Sequence, residues 1–460
     1  MAPEKIPARI TSQTVRHVDG DPLSIERGVR QRLADKISDS AVGLWLLVPE
    51  HLRLGTWDLL CGWTRQAAVR AEPRLAMQLV HEAALCLKGA RQRRYVAFRG
   101  FEVLNGLPFL ATDTAVHSLL DSHSVAEAQQ LQVALGKIRR VSGHFAGKLL
   151  LLDPHRPRSY SRRHMRRQKK SQGSRPTKMA QMFFCLDADT AQPVCCTTGT
   201  SARSVTQATP EVLELAAEIL DPCPEGALVA ADSEHYTAEL IDYVHRQTPF
   251  DIIMPIANQR RVQRRLQAIP SDWFTSHWAG YATAVLLYTP RHSRSGPYYE
   301  LVQRQGERSD QWHFKSFLST TDREPVDALT REYPKRWHVE EFFNFHQALG
   351  WQHAGTLNLN IRYGQMTMAL LAPAAIHQFR SRLGEPYRDW DARHMASAVF
   401  RGLEGDIRVV RDTIVVTYYN APNTGMLRSQ YEGLPARLAA ENVDPHIPWL
   451  YGLQLDFRFK

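Results

Sequence analysis

The sequence predicts an α/β fold, and three observations carry that prediction. Leu149, Leu150, Leu151 and Leu152 form a continuous apolar run closed by Asp153-Pro154. A run so short reads as a strand buried on both faces, at the centre of a sheet. Residues 226–232, GALVAAD, repeat the theme and again end in an aspartate. Between the two lies a helical pattern, EVLELAAEIL, opened by Pro210.

The other elements follow in order. MAQMFFCLDA (179–188) and PVCCTTGT (193–200) read as two strands joined by a polar turn at Asp189. A helix follows GALVAAD, and FDIIMPIA (250–257) is a further strand. Strand, hairpin, strand, helix, strand, helix, strand is the order of an RNase H-like domain. Residues 1–145 read as a helical N-terminal region, with apolar residues three and four apart in WDLLCGWTRQAAVRA and PRLAMQLVHEAALCLKGA. Asp113 and Ser122 to Ser124 offer helix starts there. Residues 146–267 make the first part of the core. Residues 268–322, rich in aromatic and β-branched residues, form a β-rich insertion. Residues 323–385 supply the closing helices, one from Pro334 to about Leu349 and one over about 364–383. Residues 386–460 form a mixed C-terminal region with one clear strand, DTIVVTYYN (412–420), assigned to dimerisation.

Composition removes several classes. The chain has 460 residues, 43% hydrophobic and 23% charged, as an ordinary folded protein has. At about 150 residues per domain it holds two to four domains. No apolar run approaches the ~20 residues of a membrane span, so no membrane partner is expected. The opening MAPEKIPARITSQ lacks an apolar signal core, which points to the cytoplasm. The cysteines, Cys61, Cys86, Cys185, Cys195, Cys196 and Cys223, show no CxxC spacing and argue against a zinc finger. The net charge is +10, which suggests a polyanionic partner.

Three acids stand out: Asp153, Asp232 and Glu340. The first two end buried strands, the edge where ligands bind in open α/β sheets. Two carboxylates brought together there repel unless a cation lies between them, and oxygen donors alone favour Mg²⁺ or Mn²⁺. The alternative is that each aspartate merely ends a strand and starts a turn. The third acid lies in YPKRWHVEEFFNFHQ (333–347). Pro334 suits the first turn of a helix. At about 100° per residue, Arg336, Glu340 and Gln347 share one arc with Tyr333 at its end. Val339, Phe342, Phe345 and Leu349 lie opposite. Glu341, a quarter turn away, is the rival for the third acid.

These residues resemble bacterial insertion-sequence transposases of the DDE type. The signature of that family is Tyr, two residues, Arg, three residues, Glu, six residues, Lys. Tyr333, Arg336 and Glu340 match it in residue and spacing, and Gln347 stands where the Lys is expected. LSTTD (318–322), VAADSEHY (229–236) and LLLLDPHRPRSYSRR (149–163) are similar to the family's other blocks. The resemblance covers about residues 145–385 and implies an RNase H-like core with a β-insertion between the second Asp and the Glu. It implies that Asp153, Asp232 and Glu340 hold two Mg²⁺ (or Mn²⁺) ions for phosphoryl transfer. Tyr333 and Arg336 would bind phosphates, and Gln347 removes a cation from that face while keeping a hydrogen-bonding amide. The implied partner is double-stranded DNA, as transposon end and target, bound by a homodimer associated with a prokaryotic nucleoid.

Charge placement agrees. From Arg156 to Lys178 there are ten Lys and Arg and no acid, among them Arg158, Arg162, Arg163, Arg166, Arg167, Lys169 and Lys170. A second cluster is Arg260, Arg261, Arg264 and Arg265. Such blocks are electrostatic footprints for a phosphate backbone. Tyr160 and the serines at 159, 161, 171 and 174 add hydrogen-bonding groups. Trp273, Trp278 and Trp312 in the insertion are candidates to stack on an unpaired base, against the plainer reading of core packing. His155, His164, His235 and His338 read as loop or surface histidines. Two other functions stay open: an RNase H-like nuclease without strand transfer, and a domesticated DNA-binding protein without activity.

Overall fold

The structure is a computed structural model. It describes residues 22–65, 71–87, 99–159, 161, 164–165, 167–168, 173, 175–199, 202–351, 353–354, 356 and 358–460. The chain divides into two compact units: Gln132–Gln347 with Gln352–Tyr363, and Met1–Leu131 with Ala348–Trp351 and Gly364–Lys460.

The first of these units is built on a nine-stranded sheet. Its strands, numbered within the unit, are β1 (Leu149–His155), β2 (Gln181–Asp187), β3 (Pro193–Gly199), β4 (Leu228–Ala231) and β5 (Asp251–Pro255), then β6 (Thr275–Trp278), β7 (Tyr281–Tyr288), β8 (Tyr298–Gln305) and β9 (His313–Ser319). The order across the sheet is β6-β7-β8-β9-β5-β4-β1-β2-β3. β1, β4 and β5 run parallel, with Leu152 opposite Ala231 and Val229 opposite Ile252. β2 pairs antiparallel with β1, and β3 antiparallel with β2. The four leucines of β1 are buried because strands flank it on both sides and helices cover both faces.

Helices α1 (Val205–Ile219) and α2 (Ala238–Gln247) cover one face. Val212, Leu213, Ala216 and Ile219 of α1, with Leu240, Ile241 and Val244 of α2, pack on Leu150, Leu152, Val229 and Ile252. The sequence places the start of α1 at Pro210; the helix starts five residues earlier. Ser204 Oγ accepts from the Gln207 backbone N–H while Gln207 Oε1 accepts from the Ser204 N–H, a reciprocal cap that outweighs the bond lost at Pro210. α3 (Arg260–Gln267) packs beside β9, and α4 (His338–His346) lies on the opposite face from α1. There Phe184 of β2 meets Phe342 and Phe343, at centroid distances of 5.8 and 5.3 Å.

The aromatic-rich stretch after α3 is β-rich, as the sequence predicts, but it is not a separate sheet. β9 pairs with β5, Phe317 opposite Pro255 and Ser319 opposite Ile253, so β6 to β9 prolong the core sheet. Ahead of α4 the sequence predicts continuous α-helix from Pro334. The chain instead makes a tighter 3₁₀ turn over Tyr333–Trp337, then α4, then a second tight turn over Gln347–Leu349. The following helix, expected over about 364–383, spans Leu359–Leu383. It starts early because Asn358 Oδ1 accepts from the Asn360 N–H, 3.0 Å away.

The second unit carries a five-stranded sheet in the order Ile37–Ser40, Glu404–Val410, Thr413–Tyr418, Leu453–Phe459, His446–Ile447. Strands from both ends of the chain therefore share one sheet, whereas the sequence reads residues 1–145 as helical and the tail as holding one clear strand. The helices include Pro22–Ala34, Thr56–Thr64, Glu72–Ala84 and Asp113–Asp121. The expected start near Ser124 is present: Ser124 Oγ accepts from the Glu127 N–H at 3.2 Å, and Glu127 Oε2 accepts from the Ser124 N–H at 2.7 Å. Trp449 is buried and donates its indole N–H to the Leu104 carbonyl at 2.9 Å. Among the described residues no helix is long and apolar enough to cross a membrane.

Candidate active site

The parallel register of β1 and β4 decides where the acids go. Leu152 faces Ala231 across the ladder, so the next residues, Asp153 and Asp232, leave the same end of adjacent strands. Side chains alternate along β1, which turns Asp153 away from Leu152 and toward the face that α4 covers. Asp232 ends β4 and caps the turn Ser233–His235, its Oδ1 accepting from the Ser233 N–H at 2.5 Å. His235, read as a surface residue from the sequence, is buried, and burial pushes its imidazole down to about 4.

Asp153 is the perturbed acid of the site. Burial is the main cause that pushes its carboxyl up to about 7, and the charge of Asp232 adds to it. Arg336 and Arg156 act the other way. Arg336 Nη1 lies 3.5 Å from Asp153 Oδ1, and the two side chains are 15% and 20% exposed. Arg336 also interacts with Tyr333, whose ring meets Phe317 of β9 edge-on at 4.8 Å. Burial pushes the Tyr333 phenol up to about 12. Two contacts pin this turn to the β2–β3 hairpin: Lys335 Nζ to Asp189 Oδ1 at 2.5 Å, and His338 Nδ1 to the Ala188 carbonyl at 2.8 Å. Lys335 was not foreseen as part of the site; its contact is long-range, with no local signature in the sequence.

Glu340 is not gathered with the two aspartates. It is exposed, as is Glu341, and the described residues hold no group of three or more His, Cys, Asp or Glu side chains placed for a metal ion. The expected common arc of Arg336 and Glu340 assumed one continuous α-helix. A 3₁₀ turn advances about 120° per residue rather than 100°, so the change of helix type at His338 breaks the arc. Gln347 falls outside it as well, past the end of α4 in the next tight turn. Asp153 and Asp232 fit a divalent cation: they are oxygen donors, mutually repelling, and one is forced toward its protonated form by burial. The third carboxylate of the expected set is not beside them.

The basic residues divide. Arg156 pairs with Glu234 through Nη1 and Nη2, and its Nε donates to Gln181 Oε1 at 3.3 Å. Arg158 and Arg167 are exposed. Arg162, Arg163, Arg166, Lys169 and Lys170, with Tyr160, Ser171 and Ser174, lie outside the described residues. Arg260, Arg261 and Arg264 project into solvent from α3. Arg265 is held differently from its neighbours on α3. It makes a two-pronged pair with the fully buried Glu300, 2.5 Å on both prongs, and lies over Tyr288 at 4.9 Å. Removing it strands a buried carboxylate, so Arg265→Ala is expected to cost about 2–3 kcal/mol in thermal unfolding, while Arg264→Ala stays within about 0.5. Equal losses from the two variants would reassign Arg265 to the surface. Trp273 and Trp278 are exposed, Trp278 stacked on Tyr281 at 4.3 Å. Trp312 is the exception among the stacking candidates: the Arg304 guanidinium sits 4.1 Å over its ring and Phe314 packs at its edge.

Asp153 and Asp232 thus come together on adjacent parallel strands of the sheet, with the arginine turn beside Asp153. The model of the family described as "Transposase DDE domain" matches residues 119–372, more than half of the chain, and the chain belongs to that family. No curated protein matches it. Among solved structures the chain is similar to the piggyBac transposase synaptic complex with hairpin DNA, determined by cryo-EM. The identity is 12%, the TM-score is 0.42, and the match covers 80% of this chain and 82% of that one.

Proposed function

We propose that the chain cuts at and joins the ends of its own insertion sequence by metal-dependent phosphoryl transfer. The observation that carries the reading is the Asp153–Asp232 pair, one residue past the last parallel pairing of adjacent strands, with Arg336 beside Asp153. The order β3-β2-β1-β4-β5, with β2 antiparallel to its neighbours, supports an RNase H-like core. Residues 1–145 would recognise DNA, and 386–460 would join two copies into a homodimer on paired ends.

Asp153 and Asp232 would hold Mg²⁺ or Mn²⁺, with Glu340 as third ligand when the site is complete. Two bound ions would activate a water or a DNA 3′-hydroxyl and stabilise the leaving oxygen of an in-line displacement. Arg336 and Tyr333 would position the scissile phosphate through their donors. The exposed cations of α3 would track the backbone on one side, and Arg158 and Arg167 on another.

The decisive assay gives the full chain a DNA end with its flanking inverted repeat, a target plasmid and Mg²⁺. Joined product supports transposition; cleavage without joining returns the nuclease reading. Binding without cleavage returns the DNA-binding reading, which the exposed Glu340 and the presence of Gln347 favour. For the basic surface, Arg260→Ala, Arg261→Ala and Arg264→Ala together should lower the slope of log K against log salt by about 2–3. An unchanged slope would remove α3 from the DNA interface.

A further inference from the structure

We propose that Arg336 stands in for the cation between Asp153 and Asp232 in the DNA-free chain, and that a DNA phosphate opens the pair to a divalent ion by drawing the guanidinium away. The inference rests on the reading of that pair as a metal site. Three observations carry it. The guanidinium lies 3.5 Å from Asp153 Oδ1, and the charge of Asp232 acts on it as well. The other nearby cations are engaged: Arg156 by Glu234 and Gln181, Lys335 by Asp189. Finally, Arg336 Nε is buried and has no hydrogen-bond partner, so the guanidinium is not fully satisfied where it rests.

A phosphate changes that balance. A guanidinium fork offers parallel N–H donors to two oxygens of one phosphate, which would take up donors that Asp153 leaves idle. A guanidinium and a divalent cation cannot share the same two carboxylates, because each repels the other at that distance. Withdrawal of Arg336 toward phosphate therefore exposes the pair. By linkage, DNA and metal must then raise each other's affinity by the same factor. A chain without DNA would stay poorly loaded, which limits adventitious cutting.

The test is Mn²⁺ binding, followed by the EPR signal of the free ion, on the full chain with and without a short DNA duplex. Without DNA, Arg336→Gln should bind Mn²⁺ about tenfold more tightly than wild type, and Arg336→Lys should stay near wild type. Duplex DNA should bring wild type to the Arg336→Gln level and change Arg336→Gln less than twofold. Equal Mn²⁺ affinities of wild type and Arg336→Gln, both abolished by Asp232→Asn, would overturn the inference and leave the site reading standing. Affinities that ignore Asp232→Asn would overturn both. If Arg336→Gln shows no cooperative melt, the wild-type arm decides: a Mn²⁺ affinity indifferent to DNA overturns the proposal.

Discussion

Asp232→Asn is expected to lower metal-dependent cleavage of a transposon end about 10³-fold or more, a barrier increase of at least ~4 kcal/mol, while end binding persists. The substitution is chosen for what it keeps. Asp232 Oδ1 caps the Ser233–His235 turn by accepting from the Ser233 N–H, and an Asn oxygen can accept the same bond. β4 and the buried His235 behind it should therefore hold their places. What is lost is one negative charge from a pair whose other member is already pressed toward neutrality by burial. A gel shift and a cleavage assay on the same end separate the two effects. Cleavage at the wild-type rate would show that Asp232 holds no ion the reaction needs. Loss of both binding and cleavage would mean that the turn had collapsed instead.

The elements that were legible are those whose signal is local. Four successive leucines, and GALVAAD, state two strands buried on both faces; Asp-Pro reads as the end of the first, but pairing with β2 carries that strand on to His155, and only its parallel pairing with β4 stops at Leu152. LQLDFRF at the C-terminus also alternates apolar and polar residues, and the strand Leu453–Phe459 was there to be read. Ile37–Ser40 was not: ISDS is four residues long and mostly polar, and it is a strand because Glu404–Val410 lies beside it. The same distinction runs through the site. Tyr333, Arg336 and Glu340 were legible as spacing, but their geometry depends on helix type, and the tight turn ahead of His338 is held by Asp189 and the Ala188 carbonyl far away in sequence. Arg265 looked like its neighbours on α3, and only the register of β8 shows that Glu300 is buried beneath it. Charge runs reveal where cations are and not which of them are already paired.

The stability of Asp153→Asn relative to wild type is expected to depend on pH in a way that isolates this carboxyl. Its folded-state pKa is pushed up to about 7, chiefly by burial, against 3.8 for a free aspartate carboxyl. A raised carboxyl pKa means that the folded chain binds the proton more tightly than the unfolded chain. The contribution to stability is then complete below about pH 4 and is lost as pH rises through about 7. Asn is uncharged throughout, so the variant should match wild type near pH 4 and gain on it up to pH 7. Above that the difference should level off. A shift of about three units sets a ceiling near 4 kcal/mol, and the one-fifth exposure of the side chain lowers the expected gain to about 2–3 kcal/mol. Thermal unfolding of both proteins from pH 4 to 8 measures it, and a flat difference would show that the site is wetter than its packing implies. Other titrating groups, such as the buried His235, are common to both proteins and cancel in the difference. Mg²⁺ completes the argument. At pH 8, with duplex DNA present to draw Arg336 away, the ion should stabilise wild type, whose Asp153 is then charged, and should do little for Asp153→Asn. The stability that burial withholds from the charged Asp153 is free energy that cation binding would recover, so the instability of Asp153 and its fitness as a ligand are one property measured in two ways.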